Sequence, residues 1–284
     1  MIPNFFLVGA PKAGTTSLYD YLSQHPGIFV PEIKEPNHFC KVGPQKRNVT
    51  IITDPAKYAN LYKKAKPTQL KGDFSVSYLH DTEAPFKIKN ANSDAKIIIV
   101  IRDPILRAYS HWLMDRREGF SEKNFTEAFI DDYKYSGERG FCYNSMYYDC
   151  SLYLNAIKNY TEKFDSVLIL IYEELFLNIE NSMQNIFSFL QIPSINIQHT
   201  KRLNESGEIK NPFLKKIYHS AVIRPVAKKI FGNSLKQKIR GKIIIKTDDK
   251  ITDLEYKAMI SYFHDDVIGV RKLINKEDLW PSIL

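Results

Sequence analysis

Lys12, Gly14 and the hydroxyls of Thr15, Thr16 and Ser17 crowd into one short stretch, PKAGTTS at Pro11–Ser17, directly after the apolar run FFLVG. A strand that feeds such a loop into a helix start makes an anion cradle, because first-turn N–H groups have no partner inside the helix. Gly9 and Gly14 have the spacing of the nucleotide-triphosphate loop GxxxxGK(S/T), but Thr15 stands where that loop has lysine, and the lysine comes earlier, at Lys12. Gly14 lets backbone approach an anion, the hydroxyls add donors, and Lys12 adds a full charge. Alone, the same residues also make an ordinary helix start capped by threonine, and the two readings stand level.

A second cluster, IIIVIRDPILRAYSHW, runs from Ile97 to Trp112. Arg102 ends an apolar run, Asp103 and Pro104 open a helix, and that helix carries Arg107, Ser110 and His111. Ligands of open α/β sheets bind beyond the carboxyl ends of strands, which is where Arg102 stands. Its guanidinium can grip a phosphate in bidentate fashion, and Ser110 can add a hydroxyl. A single Arg-Asp-Pro, taken by itself, reads more simply as a capped helix with a surface arginine.

The elements that must position these residues follow from hydrophobic pattern. Phe5–Gly9, Ile97–Ile101 and Val167–Ile171 are apolar at almost every position, as expected of strands covered on both faces in a parallel sheet. Helical periodicity marks Thr15–Gln24, Ile105–Arg117, Met146–Tyr160 and Leu175–Leu190, with a weaker strand at Gln69–Asp73. The alternation predicts a P-loop-containing, three-layer α/β fold: a central parallel sheet flanked by helices, joined by right-handed crossovers. Near the C-terminus, Leu254, Met259, Ile260, Phe263, Val267, Val270 and Leu273 line one helical stripe over Thr252–Ile274, with Thr252 and Glu255 spaced as a capping box. The basic interval Lys228–Lys250 has no clear pattern and reads as loop plus short helix. No linker rich in Gly, Ser or Pro divides the chain, so residues 1–284 are expected to form a single domain.

FLVGAPKAGTTSL followed by IRDPILRAYSHW resembles the sulfotransferases that use 3′-phosphoadenosine 5′-phosphosulfate, in their carbohydrate- and heparan-type branch, and more as a bacterial-like soluble member. The first motif is similar to that family's 5′-phosphosulfate loop and the second to its 3′-phosphate motif. KEP at Lys34–Pro36, GDFSVSYL at Gly72–Leu79, YEEL at Tyr172–Leu175, NESG at Asn204–Gly207 and LINKEDLW near the C-terminus extend the likeness over most of the chain.

The resemblance implies roles. Lys12 would meet the oxygen bridging phosphate and sulfuryl group. Ala13, Gly14, Thr15, Thr16 and Ser17 would hold the 5′-phosphate. Arg102 and Ser110 would take the 3′-phosphate, and Ser206, Gly207 and Lys210 would close over the phosphates. Glu35 matches the glutamate that takes the acceptor proton, while nearby His38 matches the residue type used as base in another branch. Asp73 is a further candidate for the acceptor site. Related glycosaminoglycan enzymes carry a lysine before the serine of the third motif; Phe74 stands there instead, which weighs against heparan-type acceptors. Tyr148 matches a recurrent tyrosine, although helical spacing in Tyr143–Tyr153 favours packing over sugar stacking.

A sulfuryl group carries less negative charge than a phosphoryl group, so lysine and backbone donors suffice and no metal is expected. The expected reaction is transfer from 3′-phosphoadenosine 5′-phosphosulfate to a hydroxyl of a saccharide or small molecule, leaving adenosine 3′,5′-bisphosphate. The alternatives are a P-loop kinase acting on a triphosphate and a nucleotide-binding protein without catalysis.

Composition sets outer bounds. A formal net charge of +8 suits an anionic partner, although scattered surface lysines serving solubility explain it equally well. No basic arm or nucleic-acid signature is present, so nucleic acid is not an expected partner. No secretory leader and no run of about eighteen apolar residues occurs, giving an expectation of no membrane span and of cytoplasmic location. Cys40, Cys142 and Cys150 lack metal-ligand spacing and read as free thiols, with a Cys142–Cys150 bridge as the lesser alternative. Oligomeric state is open.

Overall fold

The structure is a computed structural model that describes residues 2–41, 49–137, 145–198 and 250–283, together with the backbone of 207–208 and 245–246. Its centre is a five-stranded parallel sheet in the order β2-β3-β1-β4-β5, formed by Phe5–Gly9 (β1), Ile28–Phe29 (β2), Leu70–Asp73 (β3), Lys96–Ile101 (β4) and Val167–Ile171 (β5). In β1, Phe5, Phe6, Leu7 and Val8 are fully buried, as are Ile97–Ile101 of β4, which explains why both strands are apolar throughout. β5 lies at the edge, and its first three residues are only partly buried.

The strand order matters for function. From β1 the chain passes through Thr15–Ser23 (α1) to β2 at one edge, returns to β3 beside β1, and then crosses to β4 on β1's other side. The carboxyl ends of β1 and β4 therefore face the point where the connections diverge, the crevice in which open α/β sheets hold ligands. The loops leaving these two strands are the two motifs singled out by composition. Pro104–Arg117 (α4) follows β4, with Asp103 accepting the Leu106 N–H at 2.8 Å and Pro104 in the first helical position.

Two expected helices are interrupted. Met146–Tyr160 begins instead as irregular chain with a 3₁₀ turn at Asp149–Ser151, and only Leu154–Thr161 (α6) is α-helical. The reason is non-local. The fully buried Arg107 donates to the carbonyls of Met146 and Tyr147 and to Ser151 Oγ, so these carbonyls serve the guanidinium instead of a helix. Leu175–Leu190 is split into Tyr172–Leu177 (α7) and Ile179–Leu190 (α8), because the Asn178 side chain accepts the Asn181 N–H and starts a new helix. Three helices had no strong sequence signal: Pro55–Asn60 (α2), Ala84–Ala91 (α3) and Phe125–Lys134 (α5).

Gly207–Glu208 (β6) and Ile245–Lys246 (β7) form a separate antiparallel pair. The rest of the Lys228–Lys250 interval lies outside the described residues except for Lys250. The C-terminal helix Asp253–Ile274 (α9) has the expected capping box and buries Met259, Phe263, Val267 and Val270, while Leu254 in its first turn stays exposed. Cys40 and Cys150 are buried, Cys40 as a free thiol, and Cys142 lies outside the described residues. Among the described residues no helix is long and apolar enough to cross a membrane.

Asp266 of α9 joins the two halves of the chain. Its carboxylate accepts the N–H groups of Tyr153 and Leu154 at 2.8 and 3.0 Å, capping α6 from a distant element. Asp266→Ala leaves two N–H groups without this acceptor and should cost about 1–3 kcal/mol in chemical denaturation. Asp266→Asn, which keeps one acceptor, should fall between the variant and the parent.

Candidate active site

The loop after β1 is shaped by two left-handed residues, Lys12 with φ 70° and Gly14 with φ 78°. Gly14 has to be glycine for two reasons. Its φ disfavours a side chain, and a Cβ there would lie 2.4 Å from the Phe176 ring and 3.1 Å from Tyr172. No side chain caps α1 at Gly14, so the first turn presents the N–H groups of Thr15 and Thr16 and the hydroxyls of Thr15, Thr16 and Ser17 in the manner of an anion site, while the Ser17 N–H donates to the Gly14 carbonyl at 3.0 Å. Thr15 and Ala13 are buried, while Thr16 and Ser17 are partly exposed. The Lys12 ammonium lies 3.7 Å from Met114 Sδ on α4. Met114 is one turn beyond Ser110, which places the ammonium along the helix face that carries Ser110.

Arg102 closes the arrangement. Its Nη1–H donates to the Lys12 carbonyl at 3.1 Å, and its guanidinium lies over the Tyr172 ring at 4.5 Å. Its Nε is buried without a hydrogen-bond partner among the described residues. A buried guanidinium N–H left unmade is costly, and an oxyanion in the crevice would satisfy it. The two motifs thus meet in one crevice. Sequence reasoning missed Tyr172 and Phe176 as the aromatic wall of this crevice, although the YEEL segment contains the signal.

The third group of candidates sits at the carboxyl end of β3, next to β1. Glu35 is partly exposed and its Oε1 pairs with Lys34 Nζ at 2.9 Å. His38 accepts no proton from its protein partner at Nδ1: the Ile52 carbonyl lies 2.5 Å away and can only accept, so Nδ1 carries the hydrogen and Nε2 keeps its lone pair in the neutral ring. The ring stacks on Tyr58 with centroids 4.1 Å apart and 10° between planes.

Asp73 organises this loop from beneath. It is fully buried and accepts hydroxyl hydrogens from Tyr58 at 2.7 Å, Tyr78 at 3.0 Å and Ser75 at 2.6 Å. Two of these hydroxyls accept in turn: Ser75 Oγ from the Asn37 N–H at 3.0 Å, and Tyr78 OH from the Phe39 N–H at 3.4 Å. The carboxylate therefore holds, through one hydroxyl each, the backbone on both sides of His38. Asn37 adds its own bonds to the carbonyls of Glu35 and Thr50, and Cys40 donates to Ser77, which donates to Asn37 Oδ1. Asp73 consequently supports the site rather than facing an acceptor. Phe74 packs edge-on to Phe5 and Tyr19 in the core.

Of the remaining expected residues, Gly207 lies in β6, while Ser206 and Lys210 lie outside the described residues. Among the described residues no group of three or more His, Cys, Asp or Glu side chains is arranged to hold a metal ion.

A family model described as a sulfotransferase domain matches residues 3–221. The chain belongs to the sulfotransferase family. This sulfotransferase is 29% identical over 138 residues to human heparan sulfate glucosamine 3-O-sulfotransferase 3B1, a match covering 46% of this chain and 33% of that protein. It is 24% identical over 252 residues to human carbohydrate sulfotransferase 15, covering 67% of this chain and 44% of that protein. The matches thus span less than half the length of these relatives. Among solved structures, a sulfotransferase from Alicyclobacillus acidocaldarius superposes with a TM-score of 0.72 at 22% identity, covering 98% of this chain and 97% of that one. Mouse sulfotransferase SULT7A1, complexed with PAP, gives 0.51 at 16% identity, covering 99% and 87%. The expected three-layer fold is borne out, and family membership disfavours the kinase alternative.

Burial raises the Asp73 pKa from the ordinary 3.8 to about 6, against the lowering effect of its hydroxyl donors. The folded state then holds a proton that the unfolded chain has released between about pH 4 and pH 6, so this group's contribution to stability falls as pH rises through that window and is level outside it. Asp73→Asn cannot titrate. The stability of the parent relative to this variant should therefore shrink by about 3 kcal/mol between pH 4 and pH 7 in urea denaturation. A difference that grows with pH would contradict the buried-carboxylate account.

Proposed function

We propose that the protein is an enzyme that transfers a sulfuryl group from 3′-phosphoadenosine 5′-phosphosulfate to an acceptor hydroxyl, with residues 1–284 acting as one domain. The observation that carries the reading is the Arg102–Lys12 contact, which joins the loops after β1 and β4 into one cationic crevice in a chain of this family. The residues suit the nucleotide: the α1 N-terminus, Gly14 and the hydroxyls of Thr15, Thr16 and Ser17 would hold a 5′-phosphate, and Arg102 with Ser110 would hold a 3′-phosphate. Ser206, Gly207 and Lys210 belong to the same proposal as a closing segment. When bound, that nucleotide supplies an activated sulfuryl group whose departure leaves negative charge on the 5′-phosphate. Lys12 neutralises that charge, a role that needs no metal ion.

Glu35 is the proposed base for the acceptor proton; it lies on a loop braced at Asn37, which donates to its main-chain carbonyl. His38 is the second reading, favoured by one observation: the Ile52 carbonyl leaves Nε2 as an acceptor on a ring clamped by Tyr58. A saccharide acceptor is supported by relatives named for heparan sulfate and carbohydrate sulfation. Phe74, buried at the position where a lysine would assist heparan-type substrates, leaves other saccharides and small hydroxyl compounds as the favoured class. The buried free thiol of Cys40 suits a reducing, cytoplasmic compartment.

The test is a panel of hydroxyl acceptors assayed with radiolabelled sulfuryl donor and no added metal. Lys12→Ala should lower turnover by about 10²–10³-fold. Glu35→Gln should lower it by about 10²–10⁴-fold while adenosine 3′,5′-bisphosphate still binds. Full activity in Glu35→Gln would transfer the role to His38. Tight binding of ATP with Mg²⁺, and none of the bisphosphate, would end the sulfotransferase reading.

A further inference from the structure

The C-terminal segment reaches back to the crevice from behind. Asp103, the residue after Arg102, is pinned at three atoms: its N–H donates to Glu173 Oε1 at 3.1 Å, Oδ1 accepts the Leu106 N–H, and Oδ2 accepts the Tyr256 hydroxyl at 2.6 Å. Glu173 follows Tyr172, the ring on which the Arg102 guanidinium rests. Its other oxygen accepts the Trp280 indole N–H at 3.2 Å. Trp280 is buried and lies in the turn after α9, where Arg271 Nε donates to the Leu279 carbonyl at 2.6 Å. Ser282 Oγ meets the Tyr256 hydroxyl at 3.0 Å, and Lys276 pairs with Glu174. The bonds form a closed circuit: Asp103 to Glu173, Glu173 to Trp280, along the chain to Tyr256, and back to Asp103.

We infer that Tyr256 and Trp280 are positioning residues that set the enzyme's preference for a nucleotide bearing a 3′-phosphate. The inference rests on the proposed role of Arg102. Neither residue is bonded to Arg102. Each instead fixes a residue adjacent to one half of the Arg102–Tyr172 pair, the former through Asp103 and the latter through Glu173. A guanidinium that must meet a phosphate with two parallel hydrogen bonds tolerates little displacement. The circuit's own bonds end on Asp103 and Glu173, and it reaches the loop after β1, which would hold the 5′-phosphate, at one remove, through the Arg102 bond to the Lys12 carbonyl and the packing of Tyr172 near Gly14. Loosening it should thus weaken the hold on the 3′-phosphate more than the hold on the 5′-phosphate.

Adenosine 3′,5′-bisphosphate and adenosine 5′-monophosphate differ only in the 3′-phosphate, so their affinities separate the two ends of the site. Calorimetric titration of the full chain should show bisphosphate affinity about tenfold weaker in Tyr256→Phe and in Trp280→Phe, with a clearly smaller loss for the monophosphate, so that the preference between the two ligands narrows. Arg102→Lys should abolish the difference between the ligands. Equal bisphosphate preference in parent and both variants would overturn the inference, as would parallel loss of both ligands, which marks general loosening. A parent that does not prefer the bisphosphate would refute the assignment of Arg102 itself and the inference with it. If Trp280→Phe fails to fold, Tyr256→Phe carries the test, since it removes one oxygen and leaves the ring.

Discussion

One hydrogen bond, from the Arg102 guanidinium to the Lys12 carbonyl, ties together loops that are some ninety positions apart in the chain. It is possible because β1 and β4 are neighbours in the sheet and both end at the same edge. Its consequence is electrostatic. Two cationic residues share one crevice with an uncapped helix start, and burial makes the orphaned Nε of Arg102 expensive unless an anion completes it. Gly14 under Phe176 and Tyr172 fixes the floor of the same crevice, so glycine geometry, aromatic packing and charge all converge on one ligand chemistry.

A second centre of order lies at the end of β3, where polarity is buried instead of presented. Asp73 gives its lone pairs to three hydroxyls and receives no cation among them, so the cost of burying the carboxylate appears as a raised pKa. What the fold gains is a rigid loop. The N–H groups of Asn37 and Phe39 are held by hydroxyls that are themselves oriented by Asp73, and such a donor–acceptor chain strengthens each of its links. Both base candidates ride on that loop.

What was legible in the sequence followed from local physics. β1 and β5 coincide with their apolar runs, and β4 begins one residue earlier, at Lys96. The capping box of α9 was readable because both partners lie within one turn. The pairing of the two motifs was readable only through the resemblance to the sulfotransferase family, because nothing local to either motif shows that β1 and β4 are neighbours. Features that depend on distant partners were not. Arg107 unwinds the start of an apparently helical segment, Asp266 caps α6 from beyond a hundred residues away, and Asp73 could be told from a solvent-facing carboxylate only by finding Tyr58 and Tyr78 above it.

The indole of Trp280 has an optical consequence. The sequence contains only two tryptophans, and the other, Trp112, is buried on α4 with its N–H on the Lys123 carbonyl. Trp280 is linked through the Glu173 carboxylate to the main chain beside Arg102, so a shift of that carboxylate changes the charge and distance felt by the indole. The molecule therefore carries a built-in fluorophore behind its crevice, two hydrogen bonds from the main chain beside Arg102.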